Sequence, residues 1–245
     1  MSQAVEWVVR TMQDRLDGLT QEQAYLREFL GTYRRTTLAI GKAVDAGAFE
    51  DAEWVERWDV VFAELYLAAL DAHLGDGSPS RPWRLAFEPP PGLPALRHVL
   101  LGINAHVNYD LPQALLAVIS DDDFSDASLI ASRRRDHERI DSVLSRRVAA
   151  EDAELAGHGL TLTDRLLQPL NRLSTKRFLR ESRAKVWHNT VALQAARLDG
   201  PDAYDVRLGE LEVLSAARIA DLLAPGQVLL RLAVAGFGVT LPPPA

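Results

Sequence analysis

Apolar side chains recur three and four positions apart along most of this chain, and no stretch alternates apolar with polar residues for long enough to form a strand. That period draws an apolar stripe down one side of a helix, so such a chain buries its stripes by packing helix on helix. Val5, Val8, Val9, Met12 and Leu16 mark a first helix. Tyr25, Leu26, Phe29, Leu30, Tyr33, Thr37 and Ile40 mark a second, which Thr20 and Gln23 would open as a capping box. A third runs from about Asp51 to His73, with Trp54, Trp58, Val61, Phe62, Leu65, Tyr66, Ala69 and Leu70 inward. With 245 residues, 47% of them hydrophobic, a sizeable core is expected. The fold class is therefore all-α: a single bundle-like domain of eight to ten helices spanning 1–245.

Prolines at 82, 89, 90, 91 and 94 place a crossover at about 79–94, because proline removes a backbone donor and clashes with the preceding turn. Any subdivision of the domain falls at that 75–94 connection. A central helix is expected from about Ala95, broken or kinked by Pro112 near Asp110, with a second piece carrying Ala114, Leu115, Val118 and Ile119. A charged helix follows from Ser125 to Ala150, ending before Gly157-His158-Gly159. Helices are then expected over Thr161 to Asn171, Lys176 to Leu198 and Leu208 to Leu223, with a last one reaching about Ala235 and a proline-rich tail beyond it.

The formal net charge of -7 argues against a nucleic-acid or anionic-membrane surface, either of which needs a clustered basic face. Arg133-Arg134-Arg135 and Arg146-Arg147 sit among acidic residues and are expected on solvated helix faces. There is no cysteine, which removes thiolate ligands and cysteine nucleophiles. The longest apolar run, Val228 to Val239, is interrupted by Arg231 and falls short of the roughly 20 residues of a membrane span. The stretch from Met1 to Trp7 has an early acid and no apolar run of signal length, so a cytoplasmic location is expected.

One apolar run breaks the pattern. Arg97 to Gln113 carries His98, Asn104, His106, Asn108 and Asp110 where core helices place aliphatics. A polar group buried without a partner costs about 1–3 kcal/mol, so these residues are where chemistry is sought first. His106 and Asp110 are four apart and face one another, suited to a base oriented by its carboxylate, to two metal ligands, or to a plain hydrogen bond. Asn104 and Asn108 repeat that spacing, and Gly102 admits close approach of a helix or ligand. Against this, Asp110-Leu111-Pro112-Gln113 also fits a capping box in which Asp110 only starts a new helix.

A second pair of the same form, His137 and Asp141, lies on the charged helix, where Arg135 or Arg139 would pair with the carboxylates; two such pairs on facing helices would give four metal ligands. Asp59 and Tyr66, seven apart, share a face of the third helix, which also carries Glu64. Arg183 and Trp187, near Arg180 and His188, are an i, i+4 pair, with Arg183 either binding an anion or neutralising Asp110 or Asp59. No phosphate loop, dinucleotide fingerprint, nucleophile elbow or His-Glu-x-x-His is present.

At Leu101 to Pro112 the chain resembles a mainly actinobacterial helical family whose domain has no assigned function and whose signature is Gly, an aliphatic, Asn-Ala-His, an aliphatic, Asn, any residue, Asp-Leu. Trp58-Asp59 to Tyr66, Pro82-Trp83 and Arg183 to Trp187 are similar to that family too. His106 to Gln113 is also similar to the His-x-x-x-Asp helices of zinc-dependent phospholipase C and P1-type nuclease. That likeness implies a metal hydrolase, although the amino-terminal tryptophan ligand and further His-x-x-x-Glu of those enzymes are missing here.

The expectation is thus an enzyme acting on a small or lipid-like molecule, in its concrete form a hydrolase using a divalent metal such as zinc. His106 and Asp110 would be catalytic or metal-ligating, and Asn104, Asn108, Asp59, Tyr66, Arg183 and Trp187 would bind substrate. A metal-free isomerase or cyclase is one alternative. A non-catalytic ligand-binding or interaction protein, with the cluster as a staple, is the other.

Overall fold

A computed structural model describes residues 1–156 and 183–224, and among these every regular element is a helix. Helix α1 (Gln3–Gly18) is capped by the Ser2 hydroxyl, which accepts from the Val5 amide, and buries Val5, Val8, Val9 and Met12. Gln23 turns its side-chain oxygen to the Thr20 amide, but α2 (Leu26–Asp45) begins only after a further turn. Helix α3 (Ala52–Leu74) starts where the Asp51 carboxylate accepts from the Trp54 amide, which satisfies one of the helix's orphan donors. Trp54, Trp58, Phe62, Tyr66 and Leu70, each four after the last, form its buried face.

The crossover is not wholly irregular. Its first half folds as α4 (Arg81–Phe87), where Pro82 sits in the first turn and lacks only a donor that would be unpaired there. Trp83 and Phe87 anchor it in the core, and Tyr25 donates to the Phe87 carbonyl at 2.8 Å.

The irregularity expected near Asp110 takes the form of a distorted turn just before Pro112. Helix α5 (Ala95–Ala105) does not break there; it passes through a π-helical turn, His106–Asp110, into α6 (Leu111–Val118) with helical dihedrals throughout. The Leu111 amide donates to the His106 carbonyl five residues back, and this widened turn admits the proline ring without ending the helix. Asp110 makes no side-chain cap, and Gln113 donates to the Tyr109 carbonyl at 2.8 Å, so the capping box does not form. The carboxylate is left for another partner.

After α7 (Asp121–Ser125) comes α8 (Ala127–Ala156), then α9 (183–199) and α10 (Pro201–Leu223). Gly200 between the last two has φ of 120°, a conformation that side chains resist. The breaks and helices expected between 157 and 182, the helix to Ala235 and the tail lie outside the described residues. Helix α2 packs on α1, α3 and α5, α3 on α6, and α10 on α4 and α5. One apolar cluster draws residues from both sides of the 75–94 connection, including Trp54, Phe62, Trp83, Leu101, Leu115, Ile140, Val186 and Ile219. Among the described residues no helix is long and apolar enough to cross a membrane.

Candidate functional site

The π turn delivers His106 to the middle of the molecule, where it is 2% exposed. Five aromatic rings surround it. Phe62 of α3 lies flat against the imidazole, with centroids 3.5 Å apart and planes 4° from parallel. Tyr33 of α2 presents its edge at 4.4 Å, and Phe29, Tyr66 and Trp83 close the cage at 5.8–6.0 Å. Gly102, one turn before His106 on the same stripe, makes this possible. A Cβ there would stand 2.3 Å from the Phe29 ring, so the close approach expected at this glycine is made by α2.

Within the cage, His106 Nδ1 is 2.9 Å from Asp110 Oδ2, which also accepts from the Trp83 indole N–H at 2.8 Å. The carboxyl group thereby fixes which ring nitrogen turns outward. That nitrogen, Nε2, is buried and has no hydrogen-bond partner. Burial pushes the imidazole well below its ordinary pKa and the Asp110 carboxyl well above its own, with the Trp83 bond opposing the second shift. Charge is resisted on both partners, because neither has water to solvate it.

Asp59 is a further buried carboxyl on α3. It is 1% exposed, its Oδ1 has no partner, and burial, with a smaller push from Glu56, raises its pKa to about 7. The Tyr33 hydroxyl and Thr37 Oγ1 on α2 are also buried, and the two interact with each other. The negative charges of Asp59 and Asp110 both act on Tyr33 and, after burial, help drive its phenol pKa upward. Native interiors leave few groups such as Nε2 of His106 and Oδ1 of Asp59 unpaired. Burial likewise raises the Tyr66 phenol. A cavity of about 10 Å³, the size of one water, adjoins the cage and shares Phe29, Tyr66 and Trp83 with it. Glu64 is exposed and takes no part.

The other expected site residues are placed elsewhere. Asn104 and Asn108 bond to each other at 3.1 Å, and Asn104 donates to the Leu100 carbonyl at 2.8 Å. Each lies two positions along the helix from His106, which sets them on nearly the opposite side. Arg183 neutralises neither Asp110 nor Asp59. Its Nε donates to Asp141 Oδ1 at 3.0 Å, and Trp187 lies 5.8 Å from His137, so both belong to the second His-x-x-x-Asp pair. His137 is not a surface group but fully buried. Arg135 and Arg139 turn to Glu50 and, for Arg139, also to Asp136. Asp136 in turn accepts the Glu50 and Asp51 amides at 2.8 Å, tying α8 to the start of α3.

Nδ1 of His106 and Oδ2 of Asp110 are engaged with each other, and among the described residues no three His, Cys, Asp or Glu side chains converge as ligands. Phe29, Tyr33 and Phe62 were legible only as core positions. Their signal was there in the strict spacing of four that runs Trp54-Trp58-Phe62-Tyr66 and Phe29-Tyr33-Thr37, aromatic where an ordinary stripe mixes aliphatics.

Fold and site thus define an all-helical protein whose central helix holds a histidine–aspartate pair inside an aromatic cage. The sequence model of a family of unknown function (DUF5995) matches residues 5–225, and the chain belongs to that family. No curated protein and no solved structure matches it.

Proposed function

We propose that this protein is an acid–base enzyme of the isomerase or cyclase kind, acting on a small, largely apolar molecule at His106. The observation that carries the reading is the buried, unpartnered Nε2 of His106, aimed by the Asp110 bond on the opposite ring nitrogen. With Asp110 ionised, Nδ1–H donates to Oδ2 and Nε2 offers a lone pair, a base whose protonated form the carboxylate would stabilise. With Asp110 protonated, the hydrogen moves to Nε2, which becomes an acid. One proton decides the direction of transfer.

The aromatic walls supply the substrate class, since five rings offer apolar area and π faces and little to bind a strongly hydrated group. Phe29, Tyr66 and Trp83 line both the cage and the adjoining cavity, which has room for one water, so a larger molecule enters only as these rings move. The likeness of His106 to Gln113 to zinc-dependent phospholipase C and P1-type nuclease favours a metal hydrolase. The mutual bond of the two would-be ligands favours the metal-free reading.

Native mass spectrometry of the purified protein, and a thermal-shift screen of small cyclic and heteroaromatic compounds, identify ligands. Those ligands are then incubated with protein in deuterated water. Protein-dependent deuterium uptake at a carbon of a bound ligand, abolished in His106→Gln, is the expected result. Ligands that bind His106→Gln equally well, with no exchange in either protein, would return the cluster to a structural role.

A further inference from the structure

The second His-x-x-x-Asp pair faces α9 in register. On α8, His137 and Asp141 share one stripe, and on α9, Arg183 and Trp187 share another. Asp141 meets Arg183 at one level, through the 3.0 Å bond to Nε, and His137 meets Trp187 at the next, 5.8 Å between ring centres. Trp58 of α3 closes the niche from a third side, 6.5 Å from His137.

Hydrogen bonding in this niche is short of acceptors more than of donors. Nη1 of Arg183, the Trp58 indole nitrogen and both ring nitrogens of His137 are buried with no partner. The guanidinium and indole nitrogens can only donate, and a neutral imidazole adds one donor and one acceptor. Arg183 is 7% exposed and His137 not at all, so bulk solvent does not reach these donors. Unpaired donors around a buried guanidinium, one edge of which is already held by a carboxylate, call for acceptor oxygens carrying negative charge.

We infer that His137, Arg183 and Trp58 form a binding site for a small oxyanion, of carboxylate or phosphate type, separate from the cage at His106. Asp141 orients the guanidinium and leaves Nη1 for the anion. The site stands whether or not His106 is catalytic, and it assigns Arg183 to a ligand other than the one in the cage, with Trp187 as a wall beside His137.

The five tryptophans make the test direct. With the chain labelled with nitrogen-15, indole N–H resonances are followed as sodium phosphate, and in a second series sodium acetate, is added at fixed pH and ionic strength. Saturable shifts of Trp58 and Trp187, with Trp83 unmoved, are expected for at least one anion, and comparison of the two series tells phosphate from carboxylate. His137→Gln and Arg183→Met should each weaken that binding about tenfold or more, the loss of one charge-assisted hydrogen bond. His137→Gln keeps a neutral polar side chain and serves if Arg183→Met does not fold. Shifts linear in salt, or saturable binding unchanged in folded His137→Gln, would overturn the site.

Discussion

His106 and His137 occupy the same motif, a histidine with an aspartate four residues on in a helix, and the two are used differently. At the first, the aspartate turns to its own histidine, because the π turn and the Trp83 indole N–H hold the carboxyl group beside Nδ1. At the second, the aspartate turns to Arg183 and leaves its histidine with no hydrogen bond at either nitrogen. Spacing puts two residues on one face; the partner that arrives from another helix decides what they do. A dyad forms where only aromatic rings arrive, and an ion pair forms where a guanidinium does.

The sharpest way to break that comparison is to remove each imidazole. His106→Ala should cost about 3–5 kcal/mol, since it empties a cage packed on every side and strands Asp110 with only the Trp83 bond. His137→Ala, which breaks no hydrogen bond, should cost measurably less in the same urea titrations. Equal losses would mean that the two histidines are both mere filling.

Asp59 offers the next largest effect, with opposite sign. Its folded pKa of about 7 lies above the ordinary aspartate value, so the folded state holds the proton more tightly. Stability should therefore fall as pH rises from about 4 to about 7, by up to about 4 kcal/mol, as ionisation is forced on a buried group. Asp59→Asn should remove that fall and be the more stable protein at pH 8, in denaturation curves recorded from pH 4 to 8. A decline unchanged in the variant would put the titrating group elsewhere.

Gly102→Ala follows. Its methyl would meet the Phe29 ring, and overpacking of this kind costs about 1–3 kcal/mol. The displaced ring should also alter the environment of His106, read from its imidazole resonances, while His137 is unmoved. Trp83→Phe keeps the ring and deletes the donor to Asp110, for about 1–2 kcal/mol, and should raise the Asp110 pKa further. Smallest of all, Arg134→Ala breaks a half-exposed pair with Glu138 and should change stability by no more than about 0.5 kcal/mol. A larger loss there would show that surface charge, not the buried niche, governs α8.

The period of three and four, read along the chain, determined that this protein is helical, and it set most helix limits within a few residues, since a buried stripe is a local property of sequence. It also determined that His106 and Asp110 would be neighbours, because four residues make one turn. The route of the chain past Pro112 was not local. A capping box and a π turn are both open to Asp110-Leu111-Pro112-Gln113, and the Trp83 donor, which lies 27 residues upstream, takes the carboxylate away from the cap. Only the tertiary structure, likewise, sent Arg183 to Asp141 instead of to Asp110 or Asp59, and gathered Phe29, Tyr33 and Phe62 around one imidazole. A charge or a ring carries no mark of which distant helix will face it, since that depends on how whole stripes are paired and buried.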